Sequence, residues 1–418
     1  MYALVDCNNF YASCERVFNP SLQEQPIAIL SNNDGCVISM SDEAKALELP
    51  FGAPIFKWES FCKKNNIKVL SSNYPLYGDM SNRVMSILQQ FSPDVEVYSI
   101  DEAFLEFKGF DAYNFDNYGS QIRKRILKWT GIPTSVGVAP TKALSKVANK
   151  IARKFPDETN GVYVIDSEEK RLKALKWIAL EDVWGIGRGL KRRLAEKGCK
   201  KAFDFTQLSD DWVRKNFSIT EWKLKKDLEG IPKIALDEVK SKKVIATTRS
   251  FEYTFSDIEN IKERISTFAT SCAEKLRKQE SSCYMIIVLL SSDRHKKDLE
   301  QHRVSKTVKL SYPTDSTLTI CKYAVEAVTS IFKKGIKYKR AGVIVTGLVP
   351  TYSHQLNIFE QENQKHKPLM TAIDGINKKY KDYKIKLGNQ DLERTWKMRQ
   401  ERLSPRYTTN INDILKVK

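Results

Sequence analysis

Asp6 closes the apolar run Tyr2-Ala3-Leu4-Val5, and a second acidic pair, Asp101-Glu102, follows Ser99-Ile100 and precedes Ala103-Phe104-Leu105. Carboxylates set among apolar strand residues are costly to bury without a cation. If two central strands bring Asp6 beside Asp101 and Glu102, the three offer the hard oxygen ligands that suit Mg²⁺. Two such ions about 3.5 to 4 Å apart can clamp an in-line phosphoryl transfer, one at the attacking oxygen and one at the leaving group. An arbitrary Asp-Glu dipeptide more often just ends a hairpin. The four histidines lie beyond residue 294 and the eight cysteines form no C-x-x-C pair, so zinc and disulfides fit poorly.

Strands must carry these carboxylates. Runs at residues 2–6, 27–30, 95–98, 104–107 and 135–138 read as strands alternating with helices through residue 165, an α/β unit. Thr141 can cap a helix in which Leu144, Val147, Ala148 and Ile151 recur at helical spacing. The interleaved Lys142, Lys146, Lys150, Arg153 and Lys154 predict a wet, strongly basic face. Another helix is expected from about residue 79 to 91, with Met80, Val84, Ile87 and Leu88 buried.

From about 166 to 235 the pattern is helical and encloses Val183-Trp184-Gly185-Ile186-Gly187-Arg188-Gly189. Two glycines around one apolar residue before a helix start allow a tight turn that aims amide N–H groups at phosphate. Residues 237–243 read as a linker. Residues 244–350 predict four strands and two helices (about 258–278 and 316–333), a second small α/β sandwich. Beyond Pro350 the polar composition predicts a tail that is extended or only partly folded.

The 418 residues suit two to four domains and carry formal charge +18, which points to a polyanionic partner. Residues 1–100 hold 7 Lys and Arg against 11 Asp and Glu, whereas residues 240–350 hold 21 against 11. The acidic front suits metal ions and the basic later segment suits phosphates. The sequence has no run of about 18 apolar residues and no secretion signal, so a cytoplasmic protein without a membrane partner is expected.

Asp6-Cys7-Asn8-Asn9-Phe10-Tyr11-Ala12-Ser13-Cys14-Glu15, Tyr98-Ser99-Ile100-Asp101-Glu102-Ala103-Phe104 and Gly137-Val138-Ala139-Pro140-Thr141-Lys142 resemble the motifs of a Y-family DNA polymerase. Residues 31–38, Ser72-Asn73-Tyr74, 79–85, 183–187 and 403–409 resemble its branch of UmuC catalytic subunits, so the likeness runs over nearly the whole chain. It implies a right-hand α/β (α+β) fold. The ferredoxin-like palm would span 1–165, with small fingers inserted at about 20–73. A helical thumb with a helix-hairpin-helix would span 166–240, an α/β little finger 241–350 and a C-terminal tail 351–418.

The same resemblance implies low-fidelity translesion synthesis in the SOS response. Asp6, Asp101, Glu102 and the backbone carbonyl of Cys7 would hold two Mg²⁺ ions, with Mn²⁺ able to substitute. Tyr11 would be the steric gate that leaves no room for a 2′-OH. Phe10, Ile38, Lys45, Arg153 and Lys154 would contact the nucleotide. The family's Tyr and Arg grip on the triphosphate is replaced here by Asp42 and Lys45, and a point charge cannot form Arg's bidentate fork. Gly185, Gly187, Arg188, Arg249 and Ser250 would meet primer-template DNA. Gln355, Leu356, Ile358 and Phe359 resemble the peptide that docks on the sliding clamp (beta), and residues 360–418 would engage a UmuD′-like accessory protein and the RecA filament. Partners of that kind place the protein at the nucleoid. Two other classes share parts of this pattern: a non-catalytic DNA-binding scaffold, and a two-metal nuclease, which has no use for a sugar-sensing Tyr11.

Overall fold

The computed structural model describes residues 1–238, 240–296, 298–352, 363–380, 384–390 and 398–415. The chain divides into two units, residues 1–238 with 400–418, and residues 239–399.

In the first unit the apolar run at the N-terminus forms β1 (Tyr2–Cys7). A separate three-stranded sheet contains β2 (Ile27–Leu30), β3 (Val37–Met40) and β4 (Lys68–Ser71), in the order β3-β2-β4. The chain then adds β5 (Asp94–Val97), β6 (Glu102–Glu106), β7 (Thr134–Ala139) and β8 (Val162–Val164) to β1, in the order β5-β6-β1-β7-β8. A central strand covered on both faces needs a continuous apolar run, and β1 has one. Ala3, Val5, Ala103, Leu105, Val136 and Val138 pack under the helices Phe10–Phe18, Tyr74–Leu88 and Phe115–Thr130. The opposite face takes the helix Lys142–Lys154.

That helix starts where Thr141 predicts, its hydroxyl accepting from Leu144 N at 3.3 Å. It lies unusually close to the sheet: a Cβ on Gly137 of β7 would fall 2.0 Å from Asn149 N, so only glycine fits there. The helix Tyr74–Leu88 starts five residues earlier than its apolar stripe predicts. Asn73 caps it and Pro75 sits in its first turn, where the missing N–H costs nothing. Residues 168–228 are helical, and Leu175, Leu180, Val183, Ile186, Leu194, Phe205, Val213, Leu224 and Leu228 share a core with the outer side of the Lys142–Lys154 helix.

The second unit holds β9 (Val244–Phe255), β10 (Ser281–Ser292), β11 (Arg303–Thr314) and β12 (Tyr338–Pro350), in the order β11-β10-β12-β9. Helices Ile258–Lys278 and Thr317–Ile331 cover one face. The tail beyond Pro350 contains ordered parts. Residues His366–Tyr380 form a helix whose Met370 is buried, and Arg277 grips Asp374 through two bonds of 2.6 and 2.8 Å. Residues 400–415 return to the first unit. Among the described residues no helix is long and apolar enough to cross a membrane.

Candidate active site

Sheet register brings the acidic signatures together. β1 and β6 run antiparallel with Asp6 opposite Glu102, and Cys7 N–H donates to the Asp101 carbonyl at 2.8 Å. Ser99 shapes the turn, its hydroxyl donating to Asp101 Oδ1 at 2.5 Å and accepting from Asp101 N and Glu102 N. Three carboxylates therefore sit at one end of two central strands. Burial pushes Asp6 up to about 7, opposed by Arg153 and reinforced by the negative charges of Asp101 and Glu102. The Cys7 thiol is buried and pushed well above its ordinary value, so the donor left to that residue is its carbonyl.

The helix Lys142–Lys154 answers this charge: Lys150, Arg153 and Lys154 keep the solvent exposure that periodicity predicts, whereas Lys142 and Lys146 turn inward. Residues 142, 146, 149 and 153 recur at spacings of three and four and so share one side. Lys142 is 1% exposed and bonds Glu96 Oε2 at 2.6 Å. Lys146 reaches both oxygens of Glu102 at 3.0 Å. Asn149 donates to the carbonyls of Leu4 and Ser135, and Arg153 donates to Asp6 Oδ1 at 3.2 Å and Asn9 Oδ1 at 3.0 Å. Arg153 is thus the member of the Arg153-Lys154 pair that reaches the cluster. Tyr98, Phe104 and Trp184 wall the two lysines, with Lys146 Nζ 4.2 Å from the Tyr98 ring centre and Trp184 Nε1 donating to Tyr98 Oη at 2.9 Å. Composition marks none of these aromatic contacts, because Trp184 comes from a turn more than 80 residues away.

Among the described residues no three acidic, histidine or cysteine side chains already converge as a metal site. Lys146 and Arg153 hold Glu102 and Asp6 in ion pairs instead. The donor set still fits a hard divalent cation: it is all oxygen, and the negative charges of Asp101 and Glu102 add to the burial that raises Asp6.

Tyr11 stands beside the acidic end, in the helix that opens after Asn9, whose φ of 49° is left-handed. Its ring stacks on Tyr77 at 4.3 Å and 14° and meets the Tyr74 ring edge-on at 6.2 Å. Burial pushes its hydroxyl up to about 12, with Tyr74 and Asp101 adding to the shift. Lys45 donates to Asn9 and to Asp42, so Asn9 Oδ1 accepts from two cations, Lys45 and Arg153. Sequence reasoning missed Asn9, and its only signal was the break between strand and helix. Ile38 lies half-buried in β3. The Phe10 ring is buried in the core under β1, which leaves the backbone of this residue to face a nucleotide.

Elsewhere, Gly185 has φ 85° and Gly187 caps the helix Arg188–Ala195, leaving Gly185, Gly187 and Arg188 exposed. In the second unit, register separates Arg249 from Ser250. Arg249 pairs with Ala341 on the side facing the helices, whereas Ser250 pairs with Arg340 on the open side. The rows Thr248-Gly342-Leu289-Ser305 and Ser250-Arg340-Ser291-Arg303 share that open side with Lys309 opposite Met285. Gln355, Leu356, Ile358 and Phe359 lie outside the described residues.

Residues 5–150 match the family described as "impB/mucB/samB family", residues 242–358 match "impB/mucB/samB family C-terminal domain", and residues 367–417 match a domain of unknown function, DUF4113. Protein UmuC of Salmonella typhimurium (strain LT2) is 37% identical over 422 residues, covering all of both chains. Among solved structures, a Y-family DNA polymerase chimera of Dbh and Dpo4 superposes with TM-score 0.67 at 25% identity, covering 84% of this chain and 99% of that one. An insertion ternary complex of Dbh DNA polymerase gives TM-score 0.54 at 25% identity, with the same coverage.

Proposed function

The chain belongs to the impB/mucB/samB family, within the Y-family DNA polymerases, and we infer that its acidic strand ends are where it performs translesion DNA synthesis. It is a metal-dependent nucleotidyltransferase that acts on primer-template DNA and dNTP. The observation that carries the site is the pairing of Asp6 with Glu102 beside Asp101, with Tyr11 adjacent.

Asp6, Asp101, Glu102 and the Cys7 carbonyl would hold two Mg²⁺ ions, for which Mn²⁺ substitutes. When bound, such ions lower the barrier to attack by the primer 3′-OH and stabilise the leaving pyrophosphate. Lys146 and Arg153 order the carboxylates through ion pairs and partly offset the effect of burial on Asp6. Arg153 and Lys45, both held at Asn9, would supply the charge that meets the triphosphate. Tyr11 selects the sugar by excluding a 2′-OH, and Ile38 covers the base pair. The Gly185-Gly187 turn with Arg188, and the open face that carries Ser250 and Arg340, hold the DNA backbone without reading sequence. Arg249, on the other side of β9, would meet DNA only at the strand edge.

The residues 355–359 peptide supports docking on the sliding clamp, and the UmuC likeness supports a UmuD′-like partner, the RecA filament and a place at the nucleoid. Primer extension tests the whole reading. dNTP addition is expected; binding without synthesis indicates a scaffold, and primer shortening a nuclease.

A further inference from the structure

The last described segment of the chain lies across the part of the first unit that carries Tyr11. Gln400 donates to the Ser72 carbonyl at 2.7 Å. Arg402 exchanges two bonds with Ser71, its N–H donating to Ser71 Oγ at 3.0 Å and its carbonyl accepting from Ser71 N at 2.9 Å. Arg402 also pairs with Glu59 at 2.8 Å, and Tyr407 stacks on Phe18 at 5.0 Å. Between these anchors, Asn73 Nδ2 donates to Ser404 and Pro405, at 3.2 and 3.0 Å to their carbonyls. Asn73 is the cap of the helix that bears both Tyr74 and Tyr77.

A second link runs through a buried acid that the catalytic reading leaves unused. Glu15 is 1% exposed, and its Oε1 accepts from Tyr77 Oη at 2.6 Å and from Ser404 Oγ at 3.0 Å. Tyr77 is itself fully buried, and its ring is the surface on which Tyr11 stacks. A hydroxyl near the end of the chain therefore reaches the Tyr11 ring through one carboxylate and one phenol.

We propose that residues 400–407 form part of the sugar-discriminating site, fixing the Tyr77 ring beneath Tyr11 through Asn73 and Glu15. The proposal rests on Tyr11 being the sugar gate and gives a role to part of the region that matches a domain of unknown function. A gate that rejects one hydroxyl by contact works only if its ring cannot retreat by a fraction of an ångström. Ser404 and Tyr77 supply two donors to a carboxylate that cannot reach bulk water, and removing either leaves buried charge under-satisfied and the Tyr77 ring free to shift. Ser404 touches no reacting atom, so it is a positioning residue.

The test measures kcat/KM for a dNTP and for the matching rNTP with the full chain, as wild type, Ser404→Ala, Ser404→Thr, Tyr77→Phe, Ser404→Ala/Tyr77→Phe and Tyr11→Ala. Ser404→Ala and Tyr77→Phe should each lower discrimination by about fivefold, the size of one net hydrogen bond. The double variant should lose no more than the larger single loss, because both donors share Glu15 Oε1. Ser404→Thr should restore the wild-type ratio, and dNTP incorporation by Ser404→Ala should change little. An unchanged ratio in Ser404→Ala, while Tyr11→Ala collapses it, overturns the proposal and leaves the gate standing. Equal losses on both nucleotides overturn it too, because a segment that only holds the fold together would not distinguish sugars. An unchanged ratio in Tyr11→Ala removes the gate and the proposal together.

Discussion

At the strand ends of the first unit, cations are matched to acids one by one: Lys142 to Glu96, Lys146 to Glu102 and Arg153 to Asp6. On the open face of β9–β12 the arrangement is the reverse. Arg303, Lys309 and Arg340 stand among serines, threonines and aliphatic residues, with no carboxylate in their rows. Charge that builds a buried reaction centre has to be balanced inside the protein, because desolvated charge is costly. Charge that grips a polymer is left for the polymer to balance, and released counterions supply the affinity. The net charges of the two sequence stretches differ for the same reason.

The sharpest way to break this comparison is Asp101→Ala. It should lower dNTP incorporation by on the order of 10³-fold or more, the scale of losing a group that stabilises the transition state, while DNA binding by gel shift stays near wild type. Loss of DNA binding in step with synthesis would merge the two regions into one. Next in size, replacing Arg303, Lys309 and Arg340 together with alanine should weaken DNA binding equally for all sequences and flatten the log–log salt dependence by roughly 0.9 per lost phosphate contact. An unchanged salt slope would move the grip to another surface.

Tyr11→Ala should raise rNTP incorporation relative to dNTP by about 10- to 100-fold, the range one small steric difference controls. Running both nucleotides in one primer-extension series measures it directly.

The smallest expected effect is on stability. Asp6 sits near pH 7 in the native chain against an ordinary 3.8, so between those values the folded state holds a proton that the unfolded state has lost. For this acid, stability is highest below about pH 4 and falls as pH rises toward 7. Asp6→Asn removes that penalty. Without metal, its melting temperature should exceed wild type by a few degrees at pH 8 and match it near pH 4, while incorporation is lost. Added Mg²⁺ should then raise the melting temperature of the wild type alone. A variant less stable than wild type at pH 8 would show that Arg153 already offsets the cost of burying the charge.

Much of the scaffold was legible because it is local. The apolar run of β1 and the Thr141 cap depend on neighbours a few residues apart, and both were found near their observed limits. The acidic signatures were legible because carboxylates are rare among apolar strand residues. The Tyr74–Leu88 helix was misplaced at its start because the apolar stripe begins after the cap. The place of Lys142 and Lys146 was misread for a deeper reason: helical spacing says which residues share a side, but not what that side meets.

The order of residues alone determined most of the strands but not those at 37–40, 68–71 and 162–164, together with the capped helix, the acid-bearing turns and the division into an acidic front and a basic later segment, since propensity, periodicity and charge count all act over short distances. Tertiary structure alone decided that Lys142 is buried, that Arg153 rather than Lys154 reaches Asp6, that Arg249 and Ser250 face opposite ways, and that Ser404 meets Glu15 across 389 positions. Contacts of that span depend on how sheets and helices close on one another, and no local pattern encodes which distant side chain will fill the space.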